Sequence, residues 1–120
     1  MRIFKNTWFT RYADKEGIKD SELLEAVNQL EAGQVNADLG GGVYKVRIAR
    51  HGEGKSGGYR VIVFFKSRER TFYVYGFSKS AMDNIDEKQL RDFKRTAKVI
   101  LALTDNQLEG LLKTGKYIEI

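Results

Sequence analysis

Basic residues dominate the middle of this 120-residue chain. Residues 43–79 contain nine Lys and Arg side chains but only two Glu, whereas the whole chain has 21 basic and 16 acidic residues. The densest set is interleaved with Tyr44, Tyr59, Tyr73 and Tyr75, and consists of Lys45, Arg47, Arg50, Lys55, Arg60 and Lys79. Cations bind phosphate and aromatic rings stack on unpaired bases, so this pattern favours a surface for single-stranded RNA. The alternative is a basic face that is merely solvated.

The same cations suit one reaction in particular. RNA carries its own nucleophile, the 2′-hydroxyl, so scission needs no metal where a protein aligns that oxygen with phosphorus and stabilises the transition-state charge. Guanidinium and ammonium groups can supply this stabilisation, and a lysine among arginines can act as the base. His51, the only histidine, adjoins Arg50 and Lys55, and neighbouring cations favour its neutral, proton-accepting form. Simple RNA binding by these cations is the alternative.

A glycine-rich segment in this region imitates two nucleotide-binding motifs. Gly52, Gly54 and Gly57 have the spacing of a dinucleotide fingerprint, and Lys55 with Ser56 imitates the end of a P-loop. Both motifs require a loop that runs from a strand into a helix, whereas this segment is predicted to lead into another strand. We therefore expect no nucleotide cofactor. Its backbone N–H groups could still approach phosphate oxygens, or the segment is simply a hairpin tip.

Composition limits the remaining function classes. Cysteine is absent and histidine occurs once, so we expect no disulfide, no thiol nucleophile and no metal site. No apolar run approaches the roughly 18 to 20 residues that cross a bilayer. With 42% hydrophobic residues, the chain has enough apolar material to fold. We expect a single domain over residues 1–120 that is soluble and cytoplasmic, with no membrane partner and no small-molecule cofactor.

Helical spacing predicts two helices near the N-terminus and two near the C-terminus. The first begins at Thr7 and ends at Gly17, and the second has Asp20 as its N-cap and Gly33 as its left-handed stop. Two capping-box spacings predict the later helices, which start after Asp86 and after Thr104. The third helix is predicted to bury Leu90, Phe93, Ala97, Ile100 and Leu101.

Alternating residues between these helices predict a sheet. A turn at residues 38–42 leads into a three-stranded antiparallel meander whose strands are 43–50, 59–66 and 71–77. Residues 2–4 and 117–120 read as short additional strands. The fold class is therefore α+β, with two N-terminal helices packed on a small antiparallel sheet, followed by C-terminal helices. We expect all helices on one side, with Lys45 and Arg47 on the other, open side.

The quoted residues also resemble a known family. The run from Asp38 through Gly-Gly-Gly-Val-Tyr-Lys-Val-Arg-Ile-Ala-Arg-His-Gly-Glu-Gly-Lys-Ser-Gly-Gly-Tyr-Arg to Val63, followed by Tyr-Gly-Phe-Ser-Lys at 75–79, is similar to the RelE/HigB-type toxins of bacterial type II toxin-antitoxin systems. The resemblance extends over nearly the whole chain, and Gly-Lys-Ser-Gly-Gly-Tyr-Arg is typical of one HigB-like branch. It implies a RelE-like fold, a cognate antitoxin as partner, and cleavage of messenger RNA in the ribosomal A site.

The resemblance also implies site residues. Lys45 and Arg47 lie where the superfamily has paired cations on its central strand, Arg60 matches its arginine after Gly-Tyr, and Lys79 matches the lysine that ends the third strand. Ser80 stands where the RelE branch has an arginine, and the branch's tyrosine near the start of the last helix has no clear partner here. The acid that protonates the leaving oxygen is therefore open among His51, Lys55 and Tyr59.

Our hypothesis is a metal-independent, ribosome-dependent endoribonuclease toxin. Lys45 is the candidate base, Arg47 and Arg60 stabilise the transition-state charge, and His51 is a further catalytic candidate. The candidate RNA-binding residues are Arg50, Lys55, Tyr59 and Lys79. Two alternatives remain: a non-catalytic, ParE-like inhibitor of gyrase or another protein, and a plain RNA-binding module.

Overall fold

A computed structural model describes residues 1–34, 37–50, 54–78 and 84–120, with only the backbone for Arg50 and for residues 54–57. None of the helices in these ranges is long and apolar enough to cross a membrane. The ten elements are, in chain order, β1 (Arg2–Asn6), α1 (Thr7–Glu16), α2 (Asp20–Glu31), β2 (Ala37–Gly40), β3 (Val43–Arg50), β4 (Gly54–Lys66), β5 (Arg70–Ser78), α3 (Glu87–Ile100), α4 (Asp105–Lys113) and β6 (Tyr117–Glu119).

One mixed sheet contains all six strands in the order β2-β3-β4-β5-β1-β6. The central meander β3-β4-β5 is antiparallel as predicted, but β1 runs parallel to β5 and joins β6 to the sheet. The small antiparallel sheet predicted from the sequence is therefore wrong in size and in strand placement. The terminal strands predicted at residues 2–4 and 117–120 do form, and they extend one edge of the sheet. At the other edge Ala37–Gly40 adds a strand where a turn is predicted from residue 38 onward.

Helices cover both faces of this sheet. Val61 and Val63 of β4 pack in one core with α1 and α2, whereas Ile62 and Phe64 pack in a second core with α3 and α4. Successive side chains of a strand point to opposite faces, so the two cores lie on opposite sides of the sheet. The expectation that all helices pack on one side is wrong. The apolar even-numbered positions of β4 require a cover of their own, which the C-terminal helices provide.

Local caps explain where the helices begin. Asp86 and Thr104 form the predicted capping boxes with Gln89 and Gln107, respectively, and so start α3 and α4. The predicted N-cap at Asp20 is wrong by one residue, because Lys19 holds that position. The Lys19 side chain has no carboxylate to accept a bond there, and Glu22 instead accepts a hydrogen bond from the Lys19 backbone N–H.

The basic residues of the segment 43–79 lie in two groups, one at each end of the meander. At the β4–β5 turn, Arg70 is buried and donates hydrogen bonds to the Leu103 carbonyl at 2.6 Å and to Asp105 at 2.9 Å. Lys66 forms a surface ion pair with Glu69. Six residues of extended strand, about 20 Å, separate this turn from Arg60. Arg70 therefore stabilises the fold, whereas the exposed Lys66 pair contributes little. Neither cation belongs to the surface formed by Lys45, Arg47 and Arg60.

Gly76 of β5 gives a test of how tightly α1 packs on the sheet. A β-carbon at Gly76 would lie 2.6 Å from Cε2 of Tyr12. We expect Gly76→Ala to lower the free energy of unfolding by about 1–3 kcal/mol, measured by urea denaturation. In a Tyr12→Leu background, the cost of the same change should fall well below that value.

Gly110 in α4 is the matched control, because a β-carbon there meets no atom within 4 Å. Gly110→Ala should raise stability by about 0.5–1 kcal/mol, since alanine restricts the unfolded chain and suits a helix. Equal effects of the two glycine substitutions would contradict the close contact between α1 and β5.

Candidate nucleic-acid interface

The register of the β3–β4 pair brings three cations together. Arg47 lies directly opposite Arg60, and Lys45 lies two residues before Arg47 on the same strand. Side chains of directly opposed residues share a face, as do residues two apart on one strand. Lys45, Arg47 and Arg60, which we call the cationic site, therefore occupy one face of the sheet.

This face is the one that α3 and α4 cover, and the cover ends at the cationic site. Val43, two residues before Lys45, is fully buried in the core beneath the C-terminal helices, whereas Arg47 is exposed. The Lys45 Nζ donates a 3.4 Å hydrogen bond to Oδ1 of Asn84, which lies just before the first turn of α3. The start of α3 thus lies beside Lys45, and the face beyond it remains open.

Arg60 has the most unusual environment of the three. Its side chain is only 6% exposed, although it carries a charge. Burial, and next the positive charge of Arg47, lower the pKa of Arg60 from its ordinary value. Both effects mean that the folded protein holds this cation at a cost in free energy. An anion placed between the two guanidinium groups would reduce that cost, so the geometry favours binding of a phosphate.

Aromatic rings border the cationic site. Phe77 of β5 lies opposite Arg60, and Tyr75 lies two residues before it. The Tyr75 ring centroid lies 4.5 Å from that of Trp8 and 5.8 Å from that of Phe93. We call Trp8, Tyr75, Phe77 and Phe93 the aromatic cluster. Trp8 is 44% exposed and therefore gives the cluster an accessible flat surface.

The family of the chain follows from a comparison with known proteins. A family model described as the RelE toxin of the RelE/RelB toxin-antitoxin system matches residues 1–120. The chain belongs to the RelE toxin family. The predicted resemblance to RelE-like toxins is therefore confirmed, and so is the toxin class. A toxin of this family has a cognate antitoxin as its partner. Assignment to the HigB-like branch stays a prediction.

Tyr59 does not lie at the cationic site of this RelE-family toxin. It is 5% exposed, packs in the core beneath α1 and α2, and donates a hydrogen bond to the Glu16 carbonyl at 3.2 Å. Its prediction as an RNA-binding residue does not agree with this placement on the opposite face. Tyr73 lies in the same core, where its hydroxyl donates to the Leu23 carbonyl at 2.6 Å and burial raises its pKa.

Of the four other predicted residues, two have only their backbone described and two are not described. His51 and Lys79 lie outside the described residues. Arg50 ends β3 and pairs with Gly54, and Lys55 is the next residue of β4, so their backbones lie at the Arg47 end of the strand pair. The glycine-rich sequence continues into a strand rather than a helix, as expected, which removes the structural context of both nucleotide-binding motifs.

No group of three or more His, Cys, Asp or Glu side chains that could hold a metal occurs within the part of the chain that the structure describes. The chemistry of the cationic site is that of guanidinium, ammonium and aromatic groups. These groups bind phosphate, stack on bases and stabilise negative charge. Sequence reasoning missed Trp8, because helical spacing groups it on one face with Phe9 and Tyr12. It also missed Phe77 and Phe93 as members of the aromatic cluster.

Trp8 is the only tryptophan, so its fluorescence reports on the aromatic cluster. We expect titration with a short single-stranded RNA to change this fluorescence in a saturable way.

Tyr59→Leu should lower the free energy of unfolding by about 1–3 kcal/mol, because it removes a buried hydrogen-bonded ring, and should leave RNA affinity unchanged. Trp8→Leu should destabilise the protein less than Tyr59→Leu does, because Trp8 is 44% exposed. It should weaken binding by about 1–3 kcal/mol, measured by fluorescence anisotropy. The reverse pattern would place the stacking surface at Tyr59.

Proposed function

We propose that this RelE-family toxin is a ribosome-dependent endoribonuclease that cleaves messenger RNA without a metal ion. The observation that carries the proposal is the direct opposition of Arg47 and the buried Arg60, with Lys45 beside them, where the face of the sheet is open. Membership of the RelE family supports the requirement for the ribosome. The aromatic cluster supports RNA as the substrate, because its rings can hold unstacked bases beside these cations.

The reaction uses a nucleophile that the substrate supplies. The Lys45 amine takes the proton of the 2′-hydroxyl, and the resulting oxygen attacks the adjacent phosphorus. The bond from phosphorus to the 5′-oxygen breaks, which leaves a 2′,3′-cyclic phosphate on one fragment and a 5′-hydroxyl on the other. His51 or Lys55 donates the proton to the leaving oxygen. Tyr59, the third candidate for this acid, lies on the opposite face and donates its hydroxyl to the Glu16 carbonyl, so we favour His51 or Lys55.

Arg47 and Arg60 stabilise the additional negative charge that develops on the phosphorane-like transition state. Burial holds Arg60 in place, so little reorganisation of its guanidinium is needed when the charge forms. Strand register places Arg47 directly opposite Arg60. A guanidinium in a poorly solvated position also interacts more strongly with a phosphate than an exposed one does. Arg50, Lys55 and Lys79 remain the candidates for contacts with the RNA backbone.

The decisive variant removes two cations of the site, the half-buried Lys45 and the exposed Arg47. Induced expression of the wild-type toxin should arrest growth, and primer extension should show new 5′ ends within translated codons. Lys45→Ala combined with Arg47→Ala should abolish both effects, with a loss in cleavage rate of about 10² to 10⁴, typical of a missing base and charge stabiliser. Circular dichroism should show that the variant is folded.

The matched control is Lys66→Ala combined with Arg68→Ala, which removes the same charge from the distant β4–β5 turn. This variant should cleave like the wild type. Equal toxicity of the site variant would refute the assignment. DNA-damage signalling with intact messages would indicate the gyrase-inhibitor alternative, and salt-sensitive RNA binding without cleavage on ribosomes would indicate the plain RNA-binding alternative.

A further inference from the structure

The outer surface of α3 carries a row of basic residues. Lys88, Arg91, Arg95 and Lys98 are all exposed, and their spacing of three, four and three residues places them along one side of the helix. The opposite side of α3 carries Ala97 and Ile100, which are buried in the core against the sheet. The four cations, which we call the α3 row, therefore face away from the sheet.

The charge of the α3 row is largely uncompensated. Arg95 forms an exposed ion pair with Asp92 at 3.5 Å, and such surface pairs contribute little. Lys88, Arg91 and Lys98 form no salt bridge with any residue that the structure describes. Along the whole of α3, five basic residues stand against Glu87 and Asp92. A strong positive potential with few counter-charges favours a polyanion as partner.

The geometry of the row indicates the kind of polyanion. Ten residues of helix correspond to a straight, rigid line of about 15 Å, with neighbouring cations about 5–6 Å apart. A nucleic-acid duplex presents its phosphates in a similarly regular line. A single strand is flexible, so it can bind cations in many arrangements and does not require them to lie in a rigid row. Because the apolar side of α3 is already buried against the sheet, the helix has no face to insert into a membrane.

We infer that the α3 row binds the phosphate backbone of double-helical RNA in the ribosome and so docks the toxin while the cationic site engages the message. This inference rests on the proposed function, because the ribosome is the assembly that offers such duplexes next to a translated message. The row and the cationic site remain separate surfaces. The α3 row faces outward from α3, whereas the cationic site lies on the sheet beyond the start of α3, beside Asn84.

The test compares two variants of equal charge change. The first replaces the α3 row as Lys88→Gln, Arg91→Gln, Arg95→Gln and Lys98→Gln. The control replaces four exposed cations elsewhere, as Arg11→Gln, Lys15→Gln, Lys113→Gln and Lys116→Gln. Both are made in the full chain, and binding is measured against a blunt RNA duplex, a single-stranded RNA and purified ribosomes at several salt concentrations.

We expect the α3-row variant to bind the duplex and the ribosome about 10-fold or more weakly than the control. Its salt-dependence slope should be smaller by about 0.9 for each phosphate that the row no longer neutralises, with at most one phosphate for each replaced cation. The Trp8 fluorescence change with single-stranded RNA should stay the same. In a cleavage assay on ribosomes, the α3-row variant should show a raised KM with little change in kcat.

Three results would overturn the inference. In the first, the two variants bind duplex RNA and ribosomes equally. In the second, the affinity of the α3-row variant falls equally for duplex and single-stranded RNA. In the third, its binding of poly-glutamate falls as much as its binding of duplex RNA, which would indicate an acidic protein partner. Failure of the proposed function is recognised separately, because the wild-type toxin would then bind ribosomes without cleaving their message.

Discussion

The pairing of β3 with β4 in a single register is the constraint on which the site depends. Side chains alternate along a strand, so a slip of one residue would move Arg47 to the face that packs against α1 and α2. Both faces of β4 carry buried aliphatic residues, such as Val61 on one side and Ile62 on the other, and each must meet its own core. The apolar packing on both sides therefore fixes the register that sets Arg47 against Arg60.

The same packing explains how a small sheet can hold two like charges close together. Burial of a guanidinium beside another cation disfavours the folded state, and the depressed pKa of Arg60 reflects that cost. The two cores beneath and beside the site supply the stabilisation that offsets it. Neither core places a carboxylate opposite Lys45, whose described partner is the neutral amide of Asn84.

Local features of the fold could be predicted from the sequence, because they depend on neighbours in the chain. Thr7 begins α1 and Gly17 ends it in the left-handed conformation, as the pattern indicated. Long-range pairings could not be predicted. The parallel alignment of β1 with β5 joins residues about 70 positions apart, and Ala37–Gly40 becomes a strand only because β3 offers an edge to pair with.

Strand alternation predicts which residues share the face of the candidate site, whereas residue type alone does not. Lys45 and Arg47 alternate with the apolar residues of β3, and the structure places them on one face as the alternation indicated. The aromatic character of Tyr59 suggests RNA stacking, but Tyr59 alternates in phase with Val61 and Val63 and so belongs to their core. Trp8 approaches the site from α1, and no local pattern in the sequence connects it to β5.

The most direct test of the central claim is NMR observation of the guanidinium Nε–Hε groups during titration with a short single-stranded RNA. If strand register makes Arg47 and Arg60 a joint phosphate site, both signals should shift with the same dissociation constant, while the Arg68 signal at the distant turn stays in place. A shift of Arg47 without Arg60, or shifts of all three together, would contradict the account.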